Sequence, residues 1–341
     1  VIDFRYHIVS LISVFLALAV GIALGAGPLE QTIGDTLTGQ VEQLRAEKDT
    51  LRAELDMSQQ DLGQVTAFVD ASAPQLLEGA LADRRVAVIA LGEVPEDERT
   101  AIDDRIVQAG ASVSAHVTLN DAWSDEDLRA FRLALSANLV SYLDPAPEAD
   151  AGLETDLAAA LVQGLTRADT ASPNSLSSDA ATLLEFLSTG DTPLVTFEDD
   201  VEAPADAIVV LAPPSEEAAD GEASPSASPV AAVLTADAAV LQAAATYSEG
   251  VVLADGPRGT GTVIDALLAD DDLAQVVTTV SGAHTVVGQV SVPLALAAAI
   301  DGTVGHYGFG DEEEVLPPQV VLDPVDRTPD LPLDNATESQ G

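Results

Sequence analysis

The side chains best able to hold a metal are few in this chain of 341 residues. Four histidines, His7, His116, His284 and His306, are joined by a single thioether, Met57, and by no cysteine. Soft Cu(I) selects thiolate and thioether ligands, which this composition nearly lacks, whereas imidazole and carboxylate suit Cu(II) or Zn(II). The best-spaced region is Gly305-His306-Tyr307-Gly308-Phe309-Gly310, followed at once by Asp311, Glu312, Glu313 and Glu314. His306, with His116 as a second imidazole, is therefore the candidate metal ligand. The competing reading is structural: the glycines permit an unusual turn in which His306 and Tyr307 pack and hydrogen-bond.

A second pattern is Asp255-Gly-Pro-Arg-Gly-Thr-Gly261, between an expected strand and an expected helix. Gly256, Gly259 and Gly261, with Thr260 and Thr262, offer backbone N–H groups to an anion. The spacing is not GxGxxG, and the one lysine of the chain, Lys48, lies far away, so an ordinary capped turn competes with ligand binding. Ser281 and His284 are close in sequence, but nothing marks either as activated. GxSxG and HExxH are absent, and paired acids are too abundant to be informative. No enzyme activity is expected.

There are 57 acidic and 13 basic residues, a formal charge of −44. Such a surface repels nucleic acids and anionic head groups at long range, which excludes a nucleic-acid partner. It reads as a solvated surface, with a weak divalent-cation surface as the alternative. Without cysteine, disulfides, thiolate nucleophiles and Cys-based metal sites are excluded.

The elements that must position these residues begin with one uncharged apolar span, Ile8 to Ala26. As a helix it reaches roughly 28 Å, close to the hydrocarbon thickness of a bilayer. Arg5 precedes it in a short head (1–7), and Glu30 and Asp35 follow it. That bias places the N-terminus in the cytoplasm and the bulk outside, as a single-pass cell-membrane protein. A cleaved signal peptide is the rival, with Ala23, Gly25 and Ala26 as small residues near a cut. Val1 reads as a non-AUG start codon rendered literally. Ser13, Ala17, Gly21 and Gly25 recur every four residues and let two membrane helices approach closely.

A heptad pattern follows over 35–70. Val41, Lys48, Leu55, Leu62 and Val69 take a positions, and Leu37, Leu44, Leu51, Ser58 and Val65 take d positions. Glu47 at g meets Arg52 at e of a parallel partner. A parallel homodimer is expected, against packing on its own domain or on a different protein.

About 270 residues remain, enough for one large domain or two small ones. Arg85 to Leu91, Ala111 to Leu119, Leu194 to Phe197, Ala207 to Leu211, Gly250 to Ala254 and Val276 to Val280 read as short strands. Helices are expected over 96–109, 125–137, 153–165, 179–187, 230–246, 263–268 and 288–300, the last with Pro293 in its first turn. The fold class is α/β, with a mainly parallel sheet over 84–310, in two similar halves. Residues 213–229 read as a low-complexity loop and 311–341 as a disordered acidic tail.

The start FRYHIVSLISVFLALAVGIALGAG, the heptad stalk and VGHYGFG at Val304 to Gly310 together resemble the actinobacterial family named for the mycobacterial copper-transport outer-membrane protein. The likeness reaches from the N-terminus to about Gly310. It implies copper transport or copper homeostasis in the envelope, with copper as the ion concerned. It equally implies a relation to members linked to cell separation, where an anchored dimer works with a second membrane protein in controlling peptidoglycan cleavage. The strands expected here are short, continuously apolar and separated by helices, which does not fit a transmembrane barrel.

Overall fold

The computed structural model of the protein describes residues 4–26, 28–148, 151–214, 227–258 and 262–329, and within 25–38 and 227–233 the backbone course alone. It divides into two compact units, residues 1–67 and 68–341.

In the first unit, α1 (Phe4–Ala26) carries apolar side chains all round, and every described one is exposed. Among the described residues it is the one helix long and apolar enough to cross a membrane, a test that a signal sequence near the N-terminus also passes. Ser13 returns its hydroxyl to the Val9 carbonyl (2.8 Å), so the small-residue face it shares with Ala17 and Gly21 leaves no donor bare. The surroundings of Gly25 and Leu37 lie outside the described residues. Helix α2 (Pro28–Leu77) is longer at both ends than the 35–70 expected. Along its first-unit part, Val41, Leu44, Leu51, Leu55, Leu62 and Val65 are all exposed.

The last turns of α2 belong to the second unit. Val69 and Leu76 pack partly, and Ala73 and Leu77 wholly, into its core. Pro74 therefore does not end the helix, because tertiary burial on either side of it outweighs the propensity that predicts a break. Asp70 pairs with Arg105 at the same seam.

The second unit is built on one seven-stranded sheet. The strands are β1 (Arg85–Ala90), β2 (Ser112–Leu119), β3 (Val195–Phe197), β4 (Ala207–Leu211), β5 (Val251–Ala254), β6 (Thr278–Val280) and β7 (His306–Tyr307). Their spatial order is β3-β2-β1-β4-β5-β6-β7, all parallel except the β2–β3 pair. The two sets of strands that the sequence separates thus join in a single continuous sheet.

Successive side chains of a strand face opposite ways. Ala87, Ile89, Ile208, Val210 and Leu253 point into a core closed by α5 (Leu153–Thr166), α6 (Ser178–Ser188) and α7 (Ala227–Tyr247). Val86, Val88, Val209, Leu211 and Val252 point into a second core, closed by the end of α2, α3 (Glu96–Gln108) and α10 (Val286–Ile300). Burial on both faces is why these strands read as unbroken apolar runs. Helices α4 (Arg129–Leu139), α8 (Val263–Leu268) and α9 (Asp271–Ala274) complete the unit.

Two further expectations change. Pro293 is not in the first turn of α10, which already starts at Val286 behind its Thr285 cap. It sits in the interior of a helix buried from Gly288 to Ala298, where packing holds the segment helical. The acidic tail is not uniformly loose from Asp311. Val320 and Leu322 pack partly on the second core, Arg327 pairs with Asp206 (2.5 Å), and the Asp323 carbonyl accepts from Arg84 (3.2 Å). Residues 330–341, and 215–226 of the expected low-complexity loop, lie outside the described residues, while 227–229 already belong to α7.

Candidate functional site at the carboxyl edge of the sheet

Three of the segments singled out by sequence end at one place. Strand β5 leads into Asp255–Arg258, β6 into Ser281–His284, and β7 into Gly308–Gly310, so all three loops gather at the carboxyl edge of the parallel strands. That edge is where open α/β sheets place ligands. Asp255 is buried, and its carboxylate accepts the N–H groups of Gly256 (2.6 Å) and Ile264 (3.1 Å), fastening α8 to the end of β5. Burial pushes its carboxyl above the usual range, opposed by those N–H donors. Ala283 N–H in turn donates to the Asp255 carbonyl (2.9 Å).

The centre of the arrangement is Glu313, whose side chain is 1% exposed. One carboxylate oxygen accepts from Arg258 (3.0 Å), and the other from the Ser281 hydroxyl (2.7 Å) and the Gly310 N–H (2.7 Å). The second guanidinium nitrogen of Arg258 reaches Asp265 at 2.8 Å. Backbone bonds from Gly308 N–H to Glu314 (2.9 Å) and from Glu314 N–H to His306 (2.8 Å) strap residues 311–314 beside β7. A Cβ on Gly308 would overlap Ser281 Oγ and the Glu313 carboxylate, and one on Gly305 would overlap the Tyr307 ring. The glycines of the VGHYGFG segment are thus the spaces into which Tyr307 and Glu313 fit. With both oxygens engaged by charge-assisted or buried donors, Glu313 works as a latch.

His306 stands on β7 with Nδ1 3.0 Å from Thr279 Oγ1, and its ring also bonds the Ala274 carbonyl. Burial lowers its pKa, opposed by the bond to Ala274 and the Glu313 charge. Ligating a metal would require it to release one of these partners. His116 stands on β2, with Nε2 3.0 Å from Asp103 and Nδ1 3.9 Å from Glu198, which also pairs with Arg99. Strands β2 and β7 are five spacings apart in the sheet, about 24 Å, so the structure does not bring the two candidate ligands together. Among the described residues no group of three or more His, Asp and Glu side chains is arranged to hold a metal.

The environment of His116 has a measurable consequence. The hydrogen bond to Asp103 raises its pKa above the ordinary 6.5, with burial opposing and the Asp103 and Glu198 charges assisting. A raised folded-state value contributes stability that is complete below 6.5 and is lost as pH rises through the folded value. The urea midpoint of His116→Gln is therefore expected to fall short of wild type most at pH 6, with the gap narrowing by pH 8.

In the glycine loop, Gly259, Thr260 and Gly261 lie outside the described residues. Its described end is a cap: Thr262 Oγ1 accepts the Asp265 N–H (3.2 Å) at the start of α8. Ser281 gives its hydroxyl to Glu313 and not to an imidazole, while His284 is exposed and opposes, by its charge, the burial that raises the carboxyl of Glu98 on α3. Sequence reasoning missed Glu313, which it absorbed into an acidic run. The available signal was a glycine pair, Gly308 and Gly310, with an acid three residues after the second.

The family described as "Copper transport outer membrane protein, MctB" matches residues 1–318, a span that includes the Glu313 latch. The copper transporter MctB of Mycobacterium tuberculosis (strain ATCC 25618 / H37Rv) is 28% identical over 317 residues, 91% of this chain and 96% of that protein. The copper transporter MctB of Mycobacterium leprae (strain TN) is 27% identical over 326 residues, again 91% and 96%.

Proposed function

We propose that this chain, which belongs to the MctB family, serves copper transport or copper homeostasis in the cell envelope. The family match from the first residue through the carboxyl-edge latch carries this reading. Helix α1 is the membrane anchor, with Arg5 on its cytoplasmic side and Glu30 and Asp35 beyond it. Helix α2 pairs two copies in parallel through Val41, Leu44, Lys48, Leu51, Leu55, Leu62 and Val65, with Gly21 and Gly25 at close approach in the membrane. The α/β unit acts outside the membrane. Its sheet is open and covered by helices on both faces, so its strands support a tethered globular role and not a lipid-facing wall.

The test is deletion of the gene in its host under copper challenge. Cell-associated copper and copper sensitivity are expected to rise, and to return to parental values on complementation with the full chain. Unchanged copper content and growth in the deletion strain would overturn the proposal.

A further inference from the structure

Asp237 lies inside α7 and is 5% exposed. Among the described residues its carboxyl has no hydrogen bond and no ion pair; burial alone acts on it. The other buried acids are treated differently. Asp255 has two backbone donors, and Glu313 has Arg258, Ser281 and Gly310. An aspartate is a poor helix former, and leaving one buried without a partner is costly. Such local violations concentrate where a protein binds something.

Asp237 lines a cavity of about 320 Å³ between α7, α8 and α9. The walls are mainly apolar, chiefly Leu241, Val263, Ala266, Leu267 and Leu273. The other acid at the cavity, Asp270, is exposed and committed to the N–H groups of Asp272 (3.0 Å) and Leu273 (3.2 Å). Thr235 also lines it, so one uncommitted carboxyl faces a mainly apolar hollow. A cavity of about 150 Å³ takes benzene, so this one has room for a ring with a short chain. The complement of such a hollow is an apolar body ending in a single cation.

We propose that this cavity binds a small amphipathic amine, with its ammonium on Asp237 and its apolar body against Leu241, Val263 and Leu267. The inference is independent of the copper reading. Burial pushes Asp237 up to about 7, so protonation competes with the ligand near neutrality. The carboxylate is charged above that value and neutral below it. Amine affinity is therefore expected to drop about tenfold from pH 8 to pH 6.

The experiment titrates phenethylamine, and phenethyl alcohol as its neutral counterpart, into the full chain in nanodiscs, with empty discs subtracted. The amine is expected to bind saturably at pH 8, more tightly than the alcohol, and to weaken at pH 6, while the alcohol shows no pH dependence. Asp237→Asn is expected to abolish the preference for the amine, and Leu241→Trp, which fills the hollow, to block both. Absence of saturable amine binding at pH 8 would overturn the proposal. So would equal pH behaviour in wild type and Asp237→Asn. The wild-type contrast of amine with alcohol decides the matter alone if the Asn variant does not fold.

Discussion

Gly308→Ala is expected to destabilise the α/β unit by about 3 kcal/mol or more. The added methyl has nowhere to go: it would meet Ser281 Oγ on one side and the Glu313 carboxylate on the other. Relief requires Glu313 to leave, and that breaks its bonds to Arg258, Ser281 and Gly310 together. Among the described residues Arg258 then retains only Asp265 as an ion-pair partner. Glu313→Ala reaches the same end from the other side, removing the carboxylate while leaving the space. Because both changes release one latch, the double variant is expected to cost less than the sum of the singles. Urea unfolding with an unchanged slope is the measurement. A Gly308→Ala midpoint equal to wild type would mean that the latch contributes nothing to stability.

The second large effect concerns pairing. Leu51→Asp combined with Leu55→Asp is expected to convert the proposed dimer to monomer. Leu51 and Leu55 are successive d and a residues, 59% and 56% exposed in the single chain. Burying one leucine is worth about 1.5–3 kcal/mol, and a dimer buries two from each copy. The substitutions remove that gain and set carboxylates against one another at the seam. Neither residue belongs to the buried cores of the α/β unit, so that unit is expected to keep its unfolding midpoint. Sedimentation of the full chain in detergent, beside wild type, reads the outcome. A wild type that is already monomeric, or a variant that still pairs, would remove the stalk as the interface.

Much of the architecture was legible because its physics is local and repeated. β1, β4 and β5 are apolar on consecutive residues, which only a sheet buried on both faces requires, and the structure covers both faces. Helix α8 has the same bounds in sequence and structure, with Thr262 capping it in the structure. What escaped notice depends on contacts distant in sequence. β7 has two residues, too few for any period, and exists because β6 offers it an edge. The direction of β3 follows from where the chain re-enters the sheet, and Phe197 and Val195 carry no mark of it. Pro293 is expected in a first turn and Pro74 has the propensity of a helix breaker, yet both lie inside helices because burial on either side outweighs that propensity. At the candidate site the three loops were each visible alone, but their convergence was not, since 27 residues separate Thr279 from its partner His306. Val320 and Leu322 were hidden among prolines and acids and read as solvated.

The sheet order has a consequence for biogenesis. From β1 outward on one side the strands run β4, β5, β6, β7, the order in which they are synthesised. A chain that emerges amino end first can therefore lay each new strand of this side against an edge already standing, and no earlier pair has to open to admit a later one. The Glu313 clasp follows β7 in the chain, so it can close only after every strand has been made.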